Sequence, residues 1–143
     1  MRNASRVLLG LATAAVLGLG LPAAASASTA KAADKWSWGP TASSDTKGWA
    51  GGEIRTTRSG LRISGDLYDA GGARTCSWLK IKWLTDKGKY RTATFKNCDQ
   101  VTPRSFHVNA GYMISSEAKV CRGTSTRITG KCSHWEGVWA QGG

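Results

Sequence analysis

The strongest constraint on the fold of this chain is a pair of strand-like segments with a cysteine at each outer end. Residues 76–84 alternate apolar side chains with polar ones and tryptophan, as in a half-buried strand, and residues 89–97 form a suitable return strand. A hairpin centred on Lys87 places Cys76 and Cys98 at the same sequence distance on either side of the turn. The pattern therefore predicts a hairpin whose open end is closed by a Cys76–Cys98 disulfide.

The other two cysteines, Cys121 and Cys132, bracket a turn-rich segment. Four cysteines allow three connectivities, and the sequential one, Cys76–Cys98 with Cys121–Cys132, fits the hairpin best. Each bridge would stabilise the fold by about 3 kcal/mol through the loop entropy it removes from the unfolded chain. No two cysteines have the short spacing of a zinc site. We therefore interpret all four as structural, and we predict no metal and no other cofactor.

The rest of the chain from Glu53 onward consists of short alternating runs separated by turn residues, which is typical of an all-β protein. The 18 glycines and the β-branched runs argue against helix. The predicted fold is all-β, a small antiparallel β-sandwich or partly open barrel stapled by two disulfides. Further strands are predicted at 61–68, 105–109, 112–122 and 134–140.

The first residues have the order of a secretory signal peptide. Arg2 and Arg6 give a basic start, residues 7–21 carry no charge, and Ala25-Ser-Ala27 matches a cleavage site. The apolar run is shorter than the ~20 residues that a transmembrane helix needs. We therefore expect a secreted, extracellular protein without a membrane span. The predicted division is a signal peptide at 1–27, a flexible or extended N-terminal arm at 28–50 and a disulfide-stapled β domain at 51–143.

The net charge of the chain indicates which kinds of partner it could bind. The formal net charge is +11, with the basic residues scattered along the chain. Such a surface favours anionic partners such as cell-wall polymers, acidic proteins or lipid headgroups, or simply keeps the protein soluble. Nucleic acid is not predicted, because no binding motif occurs.

No catalytic residue is predicted. His107 and His134 are the two candidate bases, and the alternation around His107 makes it a solvent-facing strand residue. Asp66 and Asp69 flank a probable turn, and no nucleophile elbow, zincin motif or phosphate loop occurs. These residues and the lack of a catalytic motif thus favour a protein that is not an enzyme.

The predicted arm carries large aromatic residues, but it has no evident core of its own in which they could be buried. Lys31 and Lys35 precede Trp36 and Trp38, and Trp49 follows. Exposed aromatics of this size are either folded back over the β domain or buried in a partner, and an extended segment with alternate anchors suits strand addition or cleft insertion. Both alternatives remain open at this point, and these five residues are the predicted partner-binding set.

Several short motifs lie between residues 61 and 132. They are Gly65-Asp-Leu-Tyr-Asp69, Cys76-Ser-Trp78, Cys98, Val120-Cys-Arg122 and Cys132. With these motifs the chain resembles a family of small secreted actinomycete proteins with one four-cysteine β domain. Some members resemble the small adaptor subunit of umbrella toxin particles, which are secreted antibacterial assemblies.

In that family the small subunit joins a lectin subunit to the spokes of a large polymorphic toxin. Its N-terminal segment inserts into the trypsin-like, degenerate cleft of the lectin subunit. The resemblance implies that Lys31 and Lys35, which precede Trp36, belong to such an inserting peptide. It also implies that the partners are other secreted proteins, namely lectin-like and toxin subunits of a larger particle.

Two other functions compete with this adaptor hypothesis. A secreted protease inhibitor could present the loop between Cys121 and Cys132, with Arg122 or the pair Arg127-Ile128 at the reactive position. A cell-wall or glycan-binding module could use tryptophans as stacking platforms. The candidates for that role are Trp38, Trp49 and Trp139.

Overall fold

The computed structural model describes residues 33–142. The predicted signal peptide, the beginning of the predicted arm and Lys31 lie outside the described residues. Nine strands and no helix make up the described part of the chain, which therefore contains no helix able to span a membrane. The strands are β1 (Lys35–Ala42), β2 (Gly48–Thr57), β3 (Gly60–Asp69), β4 (Cys76–Thr85), β5 (Tyr90–Asn97), β6 (Arg104–Gly111), β7 (Met113–Gly123), β8 (Ile128–Gly130) and β9 (Glu136–Ala140).

The strands form two antiparallel sheets. Sheet A has the order β1-β2-β3-β6, and sheet B has the order β5-β4-β7, with β8 and β9 both pairing with β7. The chain passes from sheet A to sheet B after β3, returns for β6 and crosses again to β7. The prediction of an all-β antiparallel fold is confirmed, and the arrangement is that of a sandwich with its core between two sheets.

The predicted hairpin and both predicted disulfides are confirmed. Ser77 pairs with Asn97 across β4 and β5, so the cysteines just outside this pair face each other. The bonds are Cys76–Cys98, with an S–S distance of 2.01 Å, and Cys121–Cys132, with 2.04 Å.

Strand alternation places the core where the sequence pattern predicts it. On β4 the side chains of Leu79, Ile81 and Trp83 are buried between the sheets, and those of Lys80 and Lys82 lie on the outer face of sheet B. The other sheet contributes the facing layer. Its buried apolar residues are Trp38, Ala50, Ile54, Ile63, Leu67, Phe106, Val108 and Ala110.

The N-terminal boundary differs from the prediction. The segment from Lys35 is extended, as expected, but it forms β1 and pairs with β2 along its length. The predicted border between Ala50 and Gly51 falls inside β2. The physical reason is that Trp38 supplies part of the core and is 6% exposed. The described part of the predicted arm therefore belongs to the β domain.

One row of residues on the inner face of sheet A explains how Trp38 fits. Trp38 on β1 pairs with Gly52, Gly52 with Gly65, and Gly65 with Phe106 on β6. Two glycines thus lie between two aromatic residues, whose ring centroids are 6.0 Å apart. The Trp38 indole N–H donates to the carbonyl of Ser64 at 3.3 Å, so the ring reaches across β2 to β3. A Cβ on Gly52 would overlap the backbone of β3, so no larger residue fits this row.

We expect Trp38→Ala to lower the free energy of unfolding by about 3–5 kcal/mol, because it empties a large site in the core. The matched control is Trp36→Ala, which alters the same strand two residues earlier at a site that is 41% exposed. That variant should cost about 1 kcal/mol or less. Urea denaturation of the oxidised proteins measures both values. Equal losses in the two variants would contradict the assignment of Trp38 to the core.

Candidate functional site

The open sides of the two sheets meet at one margin of the sandwich, which we call the β1–β9 edge. Among the described residues, β1 pairs only with β2, and β9 pairs only with β7. Thr41 on β1 donates a hydrogen bond from Oγ1 to Glu136 Oε2 at 3.0 Å. The rings of Trp36 and Trp139 pack edge to face, with centroids 6.4 Å apart. The edge therefore combines two strand margins with an aromatic pair.

Lys35 lies on this edge and is paired on the outer face of sheet A. Its Nζ is 2.6 Å from Glu53 Oε2, and Arg55 pairs with the other oxygen of the same carboxylate. The hydrogen bonds from Lys35 and then from Arg55 hold the pKa of Glu53 below its usual range. The Lys35 side chain is 53% exposed, so it remains accessible to a partner that can compete for the ammonium.

The predicted partner-binding residues do not form one cluster. Lys35 and Trp36 lie together on the β1–β9 edge, whereas Trp38 is buried in the core. Trp49 lies on the outer face of sheet A and stacks on Tyr68, with centroids 5.1 Å apart and planes 6° apart. The assignment of Trp38 to a docking surface is therefore corrected, because its indole is enclosed by its own domain.

The same placement argues against the proposed glycan platform. Trp38 is buried, one face of the Trp49 ring is covered by Tyr68, and Trp139 packs partly against the core. Trp49 and Trp139 also belong to different sheets. The three tryptophans therefore offer no common stacking surface.

The structure corrects the role of Arg122 in the inhibitor hypothesis. Arg122 is 5% exposed, and its Nη1 donates to the Asp69 carboxylate and to the Ser77 hydroxyl. Its Nη2 donates to Thr75 Oγ1 at 2.7 Å. A Cβ on Gly71 would overlap the guanidinium, so glycine at this position makes room for it. An arginine held in this way cannot enter the specificity pocket of a protease.

A second carboxylate, that of Asp45, faces the same guanidinium, with Oδ2 3.8 Å from Arg122 Nε. Burial raises the pKa of Asp45, but hydrogen bonds from Ser43 and from the Lys47 amide, together with the charge of Arg122, bring it below its usual value. The carboxyl group therefore stays charged at neutral pH. Arg122 joins the β1–β2 turn to β3 and β4, which is a structural role.

The other residues of the inhibitor hypothesis lie at the surface in regular structure. Arg127 is exposed, and its carbonyl accepts a hydrogen bond from the Thr124 amide at 2.8 Å. Ile128 begins β8 and pairs with Gly123. The Arg127-Ile128 bond is thus part of a hydrogen-bonded turn and strand, which does not favour its presentation as a reactive loop.

Both histidines lie at the surface of the protein. His107 is exposed on β6 opposite Ser64, as the alternation predicts, and His134 is exposed before β9. Within residues 33–142, no three histidine, cysteine, aspartate or glutamate residues are grouped so that they could hold a metal ion.

The outer face of sheet B carries a further surface that the sequence pattern alone does not predict. Four lysines of three adjacent strands meet on the outer face of sheet B, which we call the basic face: Lys80, Lys82, Lys96 and Lys119. Alternation along β4 indicates that Lys80 and Lys82 face outward. The predicted hairpin brings Lys96 next to β4, but the pairing of β4 with β7, which brings Lys119 beside Lys80, cannot be derived from that alternation.

We expect Arg122→Met to lower the free energy of unfolding by about 3–5 kcal/mol, because it leaves the Asp69 carboxylate buried without its charged partner. The control, Arg127→Ala, removes an exposed arginine of the same disulfide loop and should change stability by less than about 0.5 kcal/mol. The double variant Asp69→Asn with Arg122→Met should recover part of the loss. Denaturant titration provides all three values, and near-native stability of Arg122→Met would contradict the structural role.

The chain matches no protein-family model, no curated protein and no solved structure. Two surfaces of the described residues are candidates for function. They are the β1–β9 edge, with its exposed strand margin and its tryptophan pair, and the basic face of sheet B.

Proposed function

We propose that this protein is a secreted, non-enzymatic adaptor that docks onto another secreted protein through the β1–β9 edge and the residues preceding β1. The observation that carries this proposal is the open margin of β1, on which Trp36 is 41% exposed. The resemblance to the small subunit of umbrella toxin particles supplies the class of partner, lectin-like and toxin subunits of an antibacterial assembly. The two disulfides suit the oxidising environment of such a protein.

The backbone of β1 favours docking by strand addition. The Thr56 amide donates to the Asp34 carbonyl at 3.0 Å, and antiparallel pairing alternates. The backbone amide and carbonyl of Trp36 therefore form hydrogen bonds with β2, while the amides and carbonyls of Lys35 and Ser37 point away from the sheet. An extended partner segment can pair with those groups, as in other cases of strand addition.

Only a short part of the β1 margin can pair regularly with a partner strand. Pairing between β1 and β2 is irregular between Trp38 and Thr41, where the chain contains Gly39-Pro40. Proline has no amide hydrogen and interrupts a regular ladder. Irregularity and proline are common means of protecting an edge from unwanted association. They limit regular strand addition to the first half of β1, beside Trp36.

Trp36 is the side chain best placed to contribute binding energy. It is large and partly exposed. Because its ring already packs against that of Trp139, it loses little conformational freedom when a partner covers it. Tryptophans in such positions are frequent hot spots, with losses of about 2 kcal/mol or more on truncation. Docking would thus combine backbone pairing along β1 with burial of one aromatic anchor.

The first test uses the tagged mature protein to capture proteins from the culture supernatant of its source, followed by affinity measurement with each captured protein. We expect Trp36→Ala to weaken binding of the partner by about thirtyfold or more. The control is Tyr112→Ala, which removes an aromatic side chain that is 66% exposed between β6 and β7. It should leave the affinity unchanged.

Melting temperatures of both variants ensure that a binding loss is not an unfolding loss. Deletion of residues 28–40 is unsuitable for this purpose, because it also removes most of β1 and the core residue Trp38. If Trp36→Ala and Tyr112→Ala bind every captured protein as tightly as the unmodified chain does, docking through the β1–β9 edge is wrong.

A further inference from the structure

The positive charge of the described residues is concentrated on one of the two sheets. The segments that form sheet B, residues 76–97 and 113–140, carry ten basic and three acidic residues. The segments that form sheet A, residues 34–69 and 104–111, carry six basic and five acidic residues. The scattered charge of the linear sequence thus becomes an asymmetric surface in the fold, and an anionic partner would be attracted to sheet B.

The lysines of the basic face lie close to one another. Lys80 on β4 is directly opposite Lys119 on β7, and Lys82 follows two residues later on the same face. Strands are about 4.8 Å apart, and alternate residues of one strand are about 6.8 Å apart. Like charges directly opposite each other destabilise a sheet. The free protein therefore bears a repulsion that an anion bound between these lysines would relieve.

Few carboxylates neutralise this surface. Lys82 Nζ is 2.8 Å from Glu117 Oε2, and this is the one ion pair that the four lysines make among residues 33–142. Lys96 Nζ instead donates to the Ser125 carbonyl at 2.5 Å. The face therefore carries four cations and one paired anion.

Aromatic rings hold three of the four ammonium groups in place. The Nζ atoms of Lys82 and Lys119 each lie 4.7 Å from the centre of the Trp135 ring, and Nζ of Lys96 lies 5.4 Å from that of Trp78. Such cation–π contacts restrict long flexible side chains, which lowers the entropic cost of binding an anion. They also occupy ring faces that would otherwise be available for stacking on nucleic-acid bases.

We propose that the basic face binds a linear, flexible polymer with phosphodiester groups along its backbone, of the polyol phosphate type. Lysine binds phosphate oxygens as a compact point charge with three donors, and a flexible polymer can bring successive phosphates to ammonium groups on different strands. The cations are spread over three strands, so they match repeated charges better than a single ion. The engaged aromatic rings favour a polymer without bases over single-stranded nucleic acid.

The test measures binding of poly(glycerol phosphate) to the folded protein by titration calorimetry at 50 and 200 mM salt. Four lysine–phosphate contacts predict an affinity loss of up to about fiftyfold over that range, the value that the counterion-release relation gives for single-stranded nucleic acid, whose charges are more closely spaced. We expect the double variant Lys80→Gln with Lys119→Gln to bind at least tenfold more weakly. The matched control, Arg58→Gln with Arg62→Gln, removes two exposed charges from sheet A and should change affinity less than twofold.

Two further measurements separate this proposal from its alternatives. The melting temperature of Lys80→Gln with Lys119→Gln should change little, because the repulsion that the variant removes offsets the loss of the Lys119–Trp135 contact, so weak binding cannot be attributed to unfolding. Trp36→Ala should bind the polymer normally, which makes this proposal independent of the adaptor function.

Four outcomes would overturn the proposal. The first is absence of binding at 50 mM salt, and the second is an equal loss in the two double variants, which would mean that net charge alone is responsible. The third is tighter binding of a single-stranded oligonucleotide with the same number of charges, which would assign the face to nucleic acid. The fourth is equally tight binding of polyglutamate, which would remove the preference for phosphate.

Discussion

The sandwich depends on the contact between Trp38 and Phe106 across two glycines on the inner face of sheet A. This contact joins the first strand of the sheet to the last, because the rings meet over the Gly52–Gly65 pair. It also reaches sheet B, where Phe95 lies 5.0 Å from Phe106 between ring centroids. Burial of Trp38 holds β1 in sheet A, and the strand order leaves β1 at the edge, so Trp36, two residues earlier, lies at the open margin. The candidate docking edge is therefore a consequence of how the core is packed.

The two candidate surfaces use different physical means and share no residue. Within residues 33–142, the β1–β9 edge offers backbone groups that pair with no other strand, and an aromatic anchor, which together favour a specific protein partner. The basic face offers fixed ammonium groups, which favour a charged polymer and faster encounter with it. A protein with both surfaces could hold a protein partner close to an anionic polymer. The buried pair of Arg122 and Asp69 contributes to the rigidity of the sandwich, because it joins β7 of sheet B to the end of β3 of sheet A.

The parts of the fold that were predictable are those set by local pattern. Alternation along residues 76–97 determines the register of one hairpin, and that register brings Cys76 and Cys98 together. Arg122 could not be assigned in this way, since its partners Asp69 and Ser77 lie 53 and 45 residues away in sequence. The sequence pattern assigns Trp38 to an arm for the same reason, because its neighbours in the core come from strands that follow much later. The basic face likewise depends on strand order, which alternation within one strand does not determine.

The central claim is that β1 belongs to the folded sheet and has one open side. Hydrogen exchange of individual β1 amides in the free mature protein, followed by NMR, tests it most directly. The account predicts alternation: the amides of Trp36 and Trp38, which face β2, should exchange slowly, and those of Lys35 and Ser37 should exchange rapidly. Rapid exchange at all four amides would mean that the segment is a loose arm, and slow exchange at all four would mean that the edge is already covered. Either result would contradict the account.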